Sequence, residues 1–69
     1  MDITHNPQPK RFLRLKQVKE LVPLETSAIY EAIAAGRFPR QYKIGPRASA
    51  WLESEIQEWI EARIAEREV

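Results

Sequence analysis

The chain has no cysteine, a single histidine, two glycines and one methionine in 69 residues. Without cysteine there can be no disulfide and no thiolate metal site, which suits a reducing cytoplasm. The only histidine, His5, stands in a polar, proline-bearing stretch. One imidazole does not supply the three or four ligands a metal needs, so no metal is expected. The only aspartate is Asp2. A glycine-rich phosphate loop is absent, and the folded part holds no histidine or cysteine. Catalysis needs convergent titrating groups in a pocket, so neither an enzyme nor a cofactor is expected. No segment approaches the roughly 20 apolar residues of a membrane span. The N-terminus has no apolar run after its charges, and no signal peptide is expected.

What is present is one small domain's worth of sequence, 43% hydrophobic and 30% charged. A core this small favours partner binding over a deep pocket, and no small-molecule ligand is expected. The formal net charge of +1 conceals an asymmetry. Met1 to Arg47 holds nine basic and four acidic residues, a net +5. From Ala48 onward, Arg63 and Arg67 face six glutamates, a net −4. One end should attract polyanions and the other repel them.

Residues 1–10, with Pro7 and Pro9, lack periodicity and read as a disordered tail; residues 11–69 read as the folded domain. Lys10 to Arg14 is an extended lead-in or small strand, with Phe12 or Leu13 plugging the core. Leu15, Val18 and Val22 recur at helical spacing, and Pro23 ends this first helix. Thr26 or Ser27 can cap a second helix, in which Ile29 and Ile33 share a face. Gly36 can close it in the left-handed conformation, and Pro39 blocks continuation. Val22-Pro23-Leu24 is a short turn between the two, as in a helix-turn-helix. Gln41 to Ile44 and Ala48 to Trp51 alternate around Gly45-Pro46-Arg47. They read as a β-hairpin with Tyr42, Ile44 and Trp51 facing inward or pairing across strands; an unpaired loop is the competing reading. Leu52, Ile56, Trp59, Ile60 and Ile64 form the stripe of a last helix, with Trp59 in the core. Ser54 and Gln57 can form its capping box. The expected architecture is mainly α with a small β-hairpin: a winged helix-turn-helix.

Five stretches, in order and spacing, resemble AlpA-type prophage regulators. They are Arg11 to Val18, Ser27-Ala28-Ile29-Tyr30, Gly36-Arg37-Phe38-Pro39, Lys43 to Ala48, and Trp51 to Ile56 with Trp59-Ile60. That family is similar to phage excisionases and to the DNA-binding domain of MerR-type regulators. The resemblance implies a winged-helix, sequence-specific DNA-binding regulator of mobile-element genes, often of those promoting excision. Double-stranded DNA is then the expected partner, with association of copies on the duplex left open. Three departures stand out. Thr26 replaces an arginine usual in relatives, Glu31 stands where a basic residue is common, and Pro23 where glycine is frequent. The second helix therefore has no lysine or arginine.

Candidate contacts follow from chemistry. Thr26, Ser27, Tyr30 and Glu31 lie on or near the outward face of a helix that a major groove admits. Tyr30 suits a phosphate or sugar, or equally a half-buried position between helices. Glu31 can accept from a cytosine amino group, or be a solvated surface charge. Arg37, Arg40, Lys43 and Arg47 run through the hairpin without an acidic neighbour, and Arg47 at the tip can grip the backbone or enter a minor groove. Arg14 and Lys16 can touch the backbone from the first helix. The rival function is a small protein-interaction module, an anti-repressor or adaptor that keeps the fold but not the DNA affinity.

Overall fold

A computed structural model describes residues 10–67. The element order is β1 (Phe12–Leu13), α1 (Leu15–Leu21), α2 (Thr26–Ala34), β2 (Tyr42–Gly45), β3 (Ala48–Leu52) and α3 (Glu53–Ala65). The fold is a mainly α winged helix with a small antiparallel sheet. The expected tail, apart from Lys10, lies outside the described residues.

Elements follow from local chemistry with a few corrections. At the start of α1 the Arg14 N–H donates to the Gln17 side-chain oxygen at 2.9 Å, satisfying an otherwise orphan donor. Pro23 bars continuation of α1, and the Leu24 N–H turns back to the Val22 carbonyl at 2.7 Å. This i→i+2 bond spans a proline whose fixed φ suits such a turn. Among the described residues only a glycine, Gly36, has positive φ, at 76°. The turn between α1 and α2 is therefore made without a left-handed residue.

Helix α2 closes as Gly36 suggests. The Gly36 N–H donates to Ile33 O at 3.0 Å and the Arg37 N–H to Ala32 O at 2.8 Å. These two reversed bonds are the signature of a Schellman ending. Its start differs from expectation. Glu25 is the cap residue, with no side-chain cap bond, so neither Thr26 nor Ser27 caps the helix. Thr26 is already in the first turn, where its hydroxyl is free for another use.

The sheet order is β1-β3-β2. Tyr42 pairs with Ala50 and Lys43 with Ser49, so the hairpin is a paired one, and Gly45 opposite Ala48 introduces a register shift. The pairing that the sequence did not announce is β1 with β3: Phe12 opposite Leu52 and Leu13 opposite Trp51. It also corrects the start of α3. Leu52 is still extended, at φ −72° and ψ 129°, and is the cap residue of α3 without a side-chain cap bond. Ser54 is thus inside the helix and the Ser54–Gln57 box does not form. The Glu53 N–H instead donates to the Arg11 carbonyl at 2.9 Å, and the Arg11 guanidinium lies 3.5 Å from the Glu53 carboxylate. Glu53 and Glu55 occupy the first turn of α3 and Arg63 the last, each complementing the helix dipole.

The core is Leu13, Val18, Val22, Ile29, Phe38, Trp51 and Ile56, with Leu15, Leu24, Ala32, Ile33, Trp59 and Ile60 packed around it. Alternation decides the lead-in: Leu13 is 2% exposed and Phe12 48%. Trp51 is buried, whereas Tyr42 and Ile44 are exposed. Those two are corrections to an inward reading, because β2 is an edge strand of the sheet; of the two alternatives Tyr42 takes the cross-strand one, opposite Ala50. Tyr42 instead meets Phe12 edge-on, ring centroids 6.0 Å apart. The stripe of α3 also outruns the core. Ile56 is fully buried, but Ile64 is 60% exposed, because the last turns of α3 extend past the sheet. Trp59 is half-buried at the margin rather than central.

The two tryptophans should therefore differ in weight. Trp51→Ala is expected to cost about 3–5 kcal/mol, as truncation of a buried aromatic does. Trp59→Ala should cost about 2 kcal/mol, from part of the burial, one hydrogen bond and an aromatic edge contact. Denaturant titrations of both variants test this, and equal losses would contradict the assignment. Gly36→Ala should cost about 1 kcal/mol. A Cβ there meets nothing within 4 Å, so the whole cost is backbone conformation.

Candidate nucleic-acid interface

Helix α2 turns its apolar side inward through Ile29, fully buried, with Ala28, Ala32 and Ile33 half-buried. The opposite side carries Thr26, Ser27, Tyr30 and Glu31. Ser27, Tyr30 and Glu31 are exposed and Thr26 is half-buried. Thr26 and Tyr30 are four apart, as are Ser27 and Glu31, so each pair shares a stripe. Tyr30 takes the half-buried place foreseen for it and still keeps exposed surface. Its ring lies 6.3 Å from that of Trp51, tilted by 59°, yet the residue is 40% exposed. The packed ring fixes the side chain and leaves surface for a partner.

The basic residues are exposed, but they do not form one patch. Arg14 caps α1, and Lys16 lies in its first turn. Lys43 stands in β2, and Arg47 lies in the Pro46-Arg47 turn that forms the tip of the wing. Arg37 and Arg40 take a different place. With Phe38, Pro39, Tyr42, Glu55 and Trp59 they line an open groove of about 1030 Å³ between the α2–β2 connector and α3. Their neighbours there include the carboxylates of α3. None of Arg14, Lys16, Arg37, Arg40, Lys43 and Arg47 is ion-paired with another described residue; the pairs are Arg11–Glu53 and Arg63–Glu66.

The connector from Ala35 to Gln41 sets the wing relative to α2. Phe38 is buried and meets Trp59 edge-on at 5.0 Å. The Trp51 indole N–H donates to Pro39 O at 3.0 Å, and the Trp59 indole N–H to Arg37 O at 2.7 Å. The Arg63 guanidinium covers the Trp59 ring at 5.2 Å, a cation–π contact.

One residue outside the sequence reading stands at the front. The Lys19 ammonium, from α1, donates to the Thr26 hydroxyl oxygen at 3.1 Å. Its only sequence signal is an outward position on α1, which many surface lysines share. Among the described residues no group of three or more His, Cys, Asp or Glu could hold a metal, and no helix is long and apolar enough to cross a membrane.

A helix-turn-helix followed by a two-stranded wing and a further helix defines the class of winged-helix regulators. The particular family follows from comparison. Residues 11–64 match the family model described as prophage CP4-57 regulatory protein (AlpA), and the chain belongs to that family. It is also 47% identical, over 58 residues, to the uncharacterized protein ORF88 of Enterobacteria phage P4. The match covers 84% of this chain and 66% of that relative, slightly under two thirds of its length. The family is one of regulatory proteins and not of enzymes.

Among the described residues, Tyr42 on β2 has a perturbed hydroxyl. The Tyr42 hydroxyl donates to the Glu55 carboxylate at 2.9 Å. That hydrogen bond first, with slight desolvation and the carboxylate's charge, raises the phenol above its ordinary value near 10. A raised value means that the neutral phenol is favoured in the folded protein. Its small stabilisation is complete below pH 10 and is lost as pH rises through the folded value. An ultraviolet titration should show Tyr42 ionising above the ordinary phenol value near 10, and Glu55→Gln should bring it back toward that value. Unchanged ionisation in that variant would mean that the bond does not persist in solution.

Proposed function

We propose that this chain binds double-stranded DNA sequence-dependently and regulates genes of the prophage or mobile element that carries it, excision functions among them. The observation that carries the reading is the front of α2. Its apolar side is committed to the core, and its polar side, Thr26, Ser27, Tyr30 and Glu31, is left outward beside a wing bearing Lys43 and Arg47. A helix of this kind fits a major groove, where base edges are distinguishable. The wing would follow the adjacent backbone, and Arg14 and Lys16 the backbone beside α1. Arg37 and Arg40, at the mouth of the groove beside α3, would contribute through their long-range field.

Phosphate contacts position a protein, and base contacts select sequence. On this reading the wing supplies affinity and α2 supplies selectivity. The acidic outer face of α3, with Glu58 and Glu61 exposed, would point away from phosphates, because like charges repel there. Copies of the protein would sit side by side on adjacent sites, since a small winged domain covers only a short stretch of duplex.

The rival reading, a protein-interaction adaptor, is favoured by the absence of any lysine or arginine in α2. Salt separates the two. A DNA binder with several phosphate contacts should lose at least about tenfold in affinity between low and physiological salt. An adaptor should bind duplex weakly throughout.

Arg47→Ala should weaken cognate and random duplex alike and make the salt slope shallower by about one unit. Glu31→Ala should instead change the ratio between the two duplexes, by about 1–3 kcal/mol if a base contact is lost. Fluorescence titrations at two salt concentrations measure both. An effect of Arg47→Ala confined to the cognate duplex would assign sequence reading to the wing.

A further inference from the structure

The Lys19–Thr26 contact gives α2 a chemistry that its own sequence lacks. Helix α2 holds no cation, yet the Lys19 ammonium reaches Thr26 Oγ1 at 3.1 Å from α1, seven residues earlier. Thr26 forms no cap bond, so its hydroxyl is not engaged with the helix backbone there. The hydroxyl oxygen receives one N–H of Lys19, and its own proton is left for a different acceptor. The ammonium has three donors and uses one on Thr26. What the pair presents to an approaching ligand is therefore rich in donors: one O–H and two N–H, against the one hydroxyl lone pair that Lys19 leaves open.

We infer that Lys19 and Thr26 act together as a base-reading unit selective for guanine in the major groove. This rests on the proposed docking of α2 there. Guanine is the base whose major-groove edge offers two acceptors, N7 and O6. Adenine sets an amino donor beside its N7, cytosine offers an amino donor, and thymine has one acceptor beside a methyl group. A pair with three donors and one remaining acceptor, its charge on the donor side, matches guanine best; on the rest the ammonium meets an amino group, a methyl group or a single acceptor. The two parts have separate tasks. Lys19 supplies charge and occupies one of the two Thr26 lone pairs, which directs the hydroxyl proton outward. Thr26 anchors a flexible four-carbon chain whose point charge would otherwise favour phosphate. Lys19 free of Thr26 would be a sequence-blind backbone contact.

The experiment is selection from a random duplex library by the full chain, followed by titration of the selected duplex. The proteins are the unaltered chain, Lys19→Met, Thr26→Val, Thr26→Ser and the Lys19→Met/Thr26→Val double variant. The duplexes are the selected one, its guanine-to-adenine change, and a copy with 7-deazaguanine, which lacks the N7 acceptor. Lys19 is exposed and Thr26 half-buried, and thermal melts verify the fold of each variant. We expect the unaltered protein and Thr26→Ser to enrich one guanine and to lose about tenfold or more in affinity on the adenine duplex. Lys19→Met and Thr26→Val should each lose that preference at the same position, and the double variant should lose little more than either. Two results would overturn the inference while leaving DNA binding intact. One is that Lys19→Met weakens all duplexes equally and keeps the guanine preference. The other is that Thr26→Ser behaves as Thr26→Val. A library from which the unaltered protein enriches nothing would overturn the docking of α2 itself.

Discussion

Two indole N–H groups hold this fold together at the point where it has no regular backbone pairing. Between the end of α2 and the start of β2 the chain crosses seven residues, Ala35 to Gln41, without helix or strand. The carbonyls there have no ladder partners, and two of them are met by side chains. Trp51 supplies one to Pro39 from β3, and Trp59 supplies one to Arg37 from α3. Phe38, between the two carbonyls, is driven into the core by its own apolar surface. The connector is thus fastened at three consecutive residues by two different elements. Gly36 and Pro39 fix its backbone at either end, one by admitting positive φ and the other by refusing helix.

That fastening explains why a domain of this size can hold a helix and a hairpin in a defined relation. A small core contributes little net stability, and a loose seven-residue connector would leave the wing free to swing. Strand β3 carries most of the burden. It is the central strand, pairs with β1 and β2, contributes Trp51 and Ala50 to the buried set, and passes directly into α3. Its partners include the segment just before α1. The first and last parts of the domain are therefore stitched together by Phe12–Leu52 and Leu13–Trp51, and by Arg11 against Glu53 at both backbone and side chain.

The elements were readable in the sequence because their signals are local. The Ile29/Ile33 spacing, the Gly36 ending, Pro23 and the alternation around Gly45-Pro46 each depend on a handful of neighbours. What escaped depends on pairing at a distance. Ser54 looks like a helix start, but β1 holds the chain extended through Leu52, so the helix begins before a serine cap can be used. Periodicity marked Trp59 and Ile64 as members of a stripe, but it carries no information on where the core beneath the stripe ends. Tyr42 and Ile44 alternate correctly, but they lie on an edge strand of the sheet, where alternation does not bury them. For the candidate interface, exposure of the charged residues was foreseeable from their chemistry. Their grouping was not. Arg37 and Arg40 follow α2 in the chain as closely as a patch would require, yet the connector's tryptophan bonds turn this segment toward α3.

The distribution of cations follows from the same constraint. A helix that buries Ile29 and keeps Ala28, Ala32 and Ile33 against the core has few outward positions, and here they are hydroxyls, a phenol and a carboxylate. Positive charge near its front must come from other elements: from α1, through Arg14, Lys16 and Lys19, and from the wing, through Lys43 and Arg47. Charges on separate elements attract a polyanion in a defined orientation only if the elements are rigidly related; on a mobile wing they would add affinity without direction. On the proposed docking, the carboxylates of α3 would sharpen that orientation by repulsion, since the net −4 of the C-terminal segment opposes the net +5 that precedes it. The tryptophan-fastened connector is therefore as much a part of the electrostatics as the arginines. It turns Arg37 and Arg40 toward the carboxylates of α3, which leaves Lys19 of α1 as the cation that reaches the front of a helix without one of its own.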